Sequence, residues 1–236
     1  MKPLFILPGW GLGRGPLQAA ATALGGAFID LPGYGEMPLE ADFDRAAASI
    51  ADRLPPGATL AGWSLGAMLA LAIAARAPAK VGKLLLIGGT ASFVQRETWP
   101  EAMPPATLGE FAAAIAADPL ALLPRFVGNF NRGDAKARAV TTEILRLASP
   151  LPAGDVLATG LGWLRDVDLR LDAPRITAPT LLIHGAADPL MPLAAARALA
   201  ALIPGALLQV LDDCAHTPFL SRPADFLDLA RPFVHD

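Results

Sequence analysis

A single cysteine, Cys214, serves all 236 residues, so no internal disulfide can form and a reducing, cytoplasmic compartment suits the chain. No metal-ligand cluster and no cofactor loop is visible. Charge is also scarce. Asp, Glu, Lys and Arg make up 17% of the residues and the formal net charge is −3, which excludes the broad basic field of a nucleic-acid or anionic-membrane binder. Nothing between Arg53 and Arg76 is charged, a length that could span a bilayer. Yet Pro55, Pro56, Gly57, Gly62, Ser64 and Gly66 interrupt it, so it reads as loop, strand, turn and buried helix. At the N-terminus, Lys2 and a short apolar run are followed by Pro8 and three glycines, which spoil a signal-peptide core. The expectation is a soluble, unprocessed monomer with no membrane or nucleic-acid partner.

What is present centres on Gly62-Trp63-Ser64-Leu65-Gly66. This G-x-S-x-G follows an apolar run and precedes a helix-forming one. A serine at such a strand-to-helix turn has its hydroxyl pushed out at the top of a sheet, with the helix start beneath it. The flanking glycines suit a turn at which a Cβ would strike the neighbouring strand or helix. Serine is too weak an acid to attack unaided. A histidine must take its proton, and a carboxylate must hold that imidazole.

Both partners follow in order. Asp188 comes after the apolar run Thr180-Leu181-Leu182-Ile183-His184-Gly185, and His216 after residues 206–211 and the loop Asp212-Asp213-Cys214-Ala215. Ser…Asp…His is the chain order of the α/β-hydrolase type of triad. Each residue also has a plain structural reading: turn serine, helix cap before Pro189, loop histidine. Three successive strand ends carrying the three residue types favour catalysis. His184 precedes the acid and reads as a packed, hydrogen-bonded residue, and His235 adjoins the C-terminus. Asp212 and Asp213 lie too close to His216 in the chain to orient it from a separate strand. Cys214 reads as packing, because Ser64 already occupies the turn.

The oxyanion that forms on acyl transfer needs donors. Leu4-Phe5-Ile6-Leu7 runs into Pro8-Gly9-Trp10-Gly11, and the backbone N–H groups of Trp10 and Leu65 are the two candidates. The same turn invites a rival reading as a dinucleotide fingerprint, with Asp30 some twenty residues on. The register fails: G-x-G-x-x-G read from Gly9 meets Arg14 at its third glycine, and read from Gly11 it meets Pro16.

Strand and helix signals alternate along the first ninety residues. Strands are expected at 4–7, 27–31, 58–61 and 83–87, and helices at 16–24, 42–54 and 65–75, which predicts a mostly parallel sheet flanked by helices on both faces. From residue 91 to 172 no strand signal appears. Helical spacing recurs at Leu108, Phe111 and Ile115, at Leu122, Phe126 and Phe130, and at Val140, Ile144 and Leu147 behind an Asp134 cap. A last helix contains Val156, Leu157, Leu161 and Leu164 behind Asp155. Residues 91–172 therefore read as an all-helical cap inserted into a core formed by 1–90 and 173–236. Phe93, Trp99, Phe126, Phe130 and Trp163 are candidate pocket walls.

The whole chain resembles the pimeloyl-acyl-carrier-protein methyl ester carboxylesterases of biotin synthesis, a branch of the α/β-hydrolase family. The resemblance rests on Pro8-Gly9-Trp10-Gly11, Leu31-Pro32-Gly33-Tyr34-Gly35, Gly62-Trp63-Ser64-Leu65-Gly66, residues 93–100, Asp155-Val156-Leu157, Val167-Asp168-Leu169-Arg170 and Ala215-His216-Thr217-Pro218-Phe219. It implies an α/β-hydrolase fold whose cap follows the sixth strand of the family's usual numbering. It implies Ser64 as nucleophile, His216 as base and acid, Asp188 as orienter, and the Trp10 and Leu65 amides as oxyanion donors. Trp10, Trp63, Phe126 and Phe130 would contact the acyl chain. Arg125, Arg132, Lys136 and Arg138 would face an acidic carrier protein, their alternative being a solvated helix face. No cofactor is implied. Two departures stand out: Pro8 replaces the histidine most relatives carry, and the family's edge hairpin is missing before the first core strand. A broad-specificity carboxylesterase acting on small esters is the alternative activity.

Overall fold

A computed structural model describes residues 2–148 and 150–236. Six strands form one sheet, β1 (Leu4–Leu7), β2 (Gly26–Phe28), β3 (Ala58–Trp63), β4 (Val81–Ile87), β5 (Thr180–Gly185) and β6 (Leu207–Leu211), in the order β2-β1-β3-β4-β5-β6. Every pairing is parallel. The central strands β3 and β5 are buried along their whole length, as continuous apolar runs covered on both faces must be. The edge strand β2 is shorter than residues 27–31 suggested. Gly26–Phe28 alone pairs with β1, after which Ile29 to Leu31 lead into the turn at Gly33.

Helices α1 (Gln18–Leu24), α2 (Phe43–Asp52) and α3 (Leu65–Arg76) belong to the first half of the core. Asp42 caps α2 by accepting from the Arg45 N–H at 2.8 Å. Between β4 and β5 come four further helices, α4 (Pro105–Ala117), α5 (Pro119–Phe130), α6 (Ala137–Leu147) and α7 (Gly154–Asp166). Three isolated bridges precede and close this region, among them Ser92 with Asp168. The core ends with α8 (Leu193–Leu202), α9 (Pro218–Ser221) and α10 (Pro223–His235). Two apolar clusters flank the sheet. One gathers α2, α3 and α8 with residues of α4 and α7; the other gathers α1 and α10 with residues of α5 and α6.

Two expected helix caps are corrected. Asp155 lies inside the first turn of α7, where its carboxylate accepts from the next residue, Val156, while Ala153 is the N-cap. Asp134 does not cap α6, which starts at Ala137 behind Lys136. Its side chain turns inward, to the loop that carries His216.

Candidate active site

β3 ends at Trp63, and Ser64 makes the turn into α3 with φ 58° and ψ −120°. A side-chain-bearing residue in the left-handed region is strained, and such strain concentrates where a group must be presented outward. The glycines explain how the turn closes. A Cβ on Gly62 would lie 2.2 Å from the Gly66 carbonyl oxygen, and one on Gly66 2.4 Å from the Leu7 oxygen. The Ser64 amide donates to Ile87 O at 3.0 Å, tying the turn to β4.

Asp188 follows β5 in the turn that leads to α8. One carboxylate oxygen accepts from the N–H groups of Leu190 and Met191, both at 2.9 Å. The other meets His216 Nδ1 at 2.7 Å. The carboxyl is buried, which pushes its pKa upward. The charge and hydrogen bond of His216, the charge of His184 and the Met191 amide outweigh that push and hold it below the usual carboxylate value. His184 stands behind it, with Nε2 2.6 Å from Met191 O and 3.5 Å from the Asp188 oxygen. Burial depresses the His184 pKa and outweighs the pull of Asp188. This bears the expected stamp of a packed, hydrogen-bonded histidine.

His216 sits after β6 with its main-chain oxygen accepting from the Trp63 indole N–H at 3.0 Å. Its Nε2 is buried and finds no hydrogen-bond partner among the described residues. His216 and Ser64 line the same cavity. In ligand-free sites such a base often closes on its nucleophile only when substrate arrives. His216 Nδ1 takes Asp188 rather than either loop aspartate: Arg222 contacts the Asp212 main-chain oxygen and the Asp213 carboxylate. Cys214 is buried, and burial with the nearby Asp134 charge pushes its thiol up to about 12, which leaves it no thiolate character.

The turn after β1 is held from two sides. Gly11 N–H donates to the Tyr34 hydroxyl at 2.8 Å, and the Trp10 indole donates to Leu157 O of α7 at 3.0 Å. α7 can approach that indole because residue 160 is glycine; a Cβ there would lie 2.4 Å from Trp10 Cδ1. The main-chain N–H groups of Trp10 and Leu65 take no backbone acceptor among the described residues. Leu65 follows Ser64 in the chain, and Trp10 lines the same cavity as Ser64.

The cavity has a volume of about 350 Å³ and a predominantly apolar wall. Gly9, Trp10, Trp63, Ser64 and His216 form its floor. Phe93, Leu108, Phe111, Phe126, Phe130 and Leu161 are among its walls, and Thr107, Asn129 and Arg132 supply polar groups. Trp10, Phe111 and Phe126 are stacked edge-on or tilted, 4.9–5.7 Å between ring centroids. Trp63, a wall residue, doubles as a prop for His216, 5.6 Å from its ring. Trp99 and Trp163 are not in the wall. Their indoles donate to Ser92 O and Ala41 O. Of the four basic residues, Arg125 and Arg138 are exposed, and Arg132 borders the cavity while donating to Asn129 Oδ1 at 3.0 Å. Lys136 is not free, since its ammonium donates to Ser221 O at 2.9 Å. Sequence reasoning missed Tyr34, Gly160 and Asn131 and read Asp134 as a helix cap; of the three missed, only the Tyr34 turn carried a signal, as part of a quoted motif.

No helix among the described residues is long and apolar enough to cross a membrane. Residues 4–229 match the family described as the alpha/beta hydrolase family. A pimeloyl-acyl-carrier-protein methyl ester esterase of Aromatoleum aromaticum is 40% identical over 240 residues, covering 94% of this chain and 94% of that protein. An equally named protein of Nitrosomonas europaea is 35% identical, covering 95% and 92%. Among solved structures, an esterase from Exiguobacterium antarcticum superposes with a TM-score of 0.86 at 23% identity over 100% of this chain and 92% of that one, a likeness of fold. The chain belongs to the alpha/beta hydrolase family.

Proposed function

From membership of this family we propose that the protein is a serine carboxylesterase that hydrolyses the methyl ester of a pimeloyl chain carried on acyl carrier protein, a step of biotin synthesis in the cytoplasm. The observation that carries the chemistry is the strained Ser64 opening, beside the unpartnered His216 Nε2, on an apolar cavity, with Asp188 fixed on the far side of the imidazole. The carrier-bound substrate is supported by the two relatives of that name.

Ser64 Oγ attacks the ester carbonyl carbon as its proton passes to His216 Nε2. The carbonyl oxygen takes the negative charge and receives the Trp10 and Leu65 N–H groups. Collapse breaks the bond to the methoxy oxygen, which leaves as methanol with the proton from His216. Water then attacks the acyl-enzyme, His216 taking one proton and returning it to Ser64 Oγ, and the free carboxylic acid departs. Asp188 holds the Nδ1–H tautomer and stabilises the imidazolium at each step. The acyl chain lies along Trp10, Phe126 and Phe130. Arg125, Arg132 and Arg138 meet the acidic carrier, with Lys136 contributing charge from its anchored position.

The test measures methanol release from pimeloyl-carrier-protein methyl ester beside hydrolysis of short p-nitrophenyl esters, and rescue of a biotin auxotroph lacking this esterase. Carrier-bound turnover with rescue is expected. Turnover of the short esters alone would establish the small-ester carboxylesterase instead.

A further inference from the structure

The loop carrying His216 is gripped by the cap. Asp134, on the connection between α5 and α6, is buried, and its carboxylate accepts from three donors. These are the Ala215 N–H at 3.0 Å, the Ser221 hydroxyl at 2.9 Å and the Lys136 N–H at 2.7 Å. Asn131 is fully buried; its oxygen accepts from the Thr217 hydroxyl at 3.1 Å while its amide donates to Val127 O and Thr141 Oγ1. The grip thus takes the residues immediately before and after His216. Ala135 N–H to Asp213 O at 3.0 Å and Lys136 Nζ to Ser221 O at 2.9 Å extend it along the loop. Phe130 closes against the imidazole edge-on, 5.4 Å between centroids.

A buried carboxylate is costly unless fully hydrogen-bonded, and a buried loop of small residues could be held more cheaply by apolar packing. Here Ala215, Thr217 and Ser221, the donors that reach Asp134 and Asn131 from outside residues 131–136, all belong to the stretch that must keep an imidazole aimed. On the reading of His216 as the catalytic base, we propose that residues 131–136 form a strap in which Asp134 and Asn131 are positioning residues for His216. The second half of the cap is then a fixed part of the triad's support. Error in imidazole aim reduces the reaction step far more than it reduces binding.

The experiment uses the full chain with Asp134→Asn, Ser221→Ala and Thr217→Val, and His216→Ala and Ile50→Val as references. Read for each are kcat and KM on p-nitrophenyl butyrate, melting temperature, and the low-field proton resonance of His216 Nδ1–H bonded to Asp188. Asp134→Asn and the Ser221→Ala/Thr217→Val pair should lower kcat by roughly 10- to 100-fold, leave KM within about twofold and broaden or shift the resonance. Ile50→Val, in the α2 core, should lower the melting temperature without moving either. If Asp134→Asn fails to fold, the hydroxyl pair decides alone, each change removing one oxygen. Unchanged kcat and resonance with a lowered melting temperature would overturn the strap. Full activity in His216→Ala would instead overturn the reading of the base on which it rests.

Discussion

Helices α3 and α4 are near-twins in sequence and opposites in setting. LGAMLALAIAAR and PATLGEFAAAIAA are both alanine-rich and apolar. In α3 every residue from Leu65 to Ala74 is buried; in α4 only Leu108 and Ile115 are. α3 lies against the sheet with α2 across its outer face, so all its sides are covered. α4 rests on α5 and α7 along one stripe and leaves Ala113, Ala114, Ala116 and Ala117 to solvent, while Phe111 turns into the cavity. An all-round apolar helix usually signals burial. The difference here lies in the neighbours, and it divides an enclosed helix that begins at the Ser64 turn from an open one that supplies a residue of the cavity wall.

The sharpest way to break that division is at Ser64. Ser64→Ala should lower ester hydrolysis by roughly 10⁶-fold, the scale of losing a triad serine, with an unchanged melting temperature. A fluorophosphonate should label the parent at Ser64 by mass spectrometry. Labelling at Cys214 would move the chemistry off the turn. Asp188→Asn comes next, at about 10⁴-fold in kcat, because an amide holds the wrong imidazole tautomer. Asp212→Asn and Asp213→Asn, whose neighbour is Arg222, should stay near wild type in the same assay.

Stability should divide along the same line. Leu69→Ala in α3 empties a fully buried site and should cost about 2–5 kcal/mol in urea unfolding. Leu120→Ala, 74% exposed at the start of α5, should stay within about 0.5 kcal/mol. Comparable costs would mean the cap packs as tightly as the core.

A smaller effect concerns acid. His184 is buried with its pKa depressed below the ordinary value of about 6.5. The unfolded chain therefore binds more protons than the folded one once pH falls below that value, and stability declines with acidification. Asp188, also depressed, adds a further loss at lower pH, as the medium passes below the unfolded carboxylate value toward its folded one. Melting temperature should thus fall from about pH 6.5 downward, and His184→Gln should flatten the upper part of that slope. An unaltered slope would assign the proton uptake elsewhere.

The core was largely legible because each of its signals is local. Residues 4–7 and 180–185 are strands to the residue, since unbroken apolar runs between turn formers have one reading in a parallel sheet. The Ser64 turn announces itself by glycines whose Cβ atoms would have no room. The sheet edge was overextended toward Leu31: side chains stay buried there, but pairing with β1 ends at Phe28 apart from the Ile29 N–H bond to Ile6 O. Asp134 was misread for the opposite reason. An aspartate ahead of apolar helical spacing resembles a cap, and nothing local says that its acceptors serve a loop eighty residues away. Lys136 and Trp163 likewise spend their donors on long-range backbone oxygens that no spacing rule exposes.

The cap's outer face offers the mildest and most discriminating test. Arg125 and Arg138 are exposed, and neither appears in an ion pair among the described residues, so their charge is available to an acidic partner. Reversing both to Glu should raise KM for the carrier-bound methyl ester several-fold, since the attraction that speeds encounter with an acidic carrier is lost and like charges repel. kcat/KM for a short p-nitrophenyl ester should change little, because a small neutral molecule reaches Ser64 without crossing that face. Salt should narrow the gap between variant and parent: at physiological ionic strength the screening length is about 8 Å, and at 1 M about 3 Å. Equal losses on both substrates would indicate damage to the cap itself. No loss on either would leave these arginines as a solvated helix face and shift the proposed substrate toward small esters.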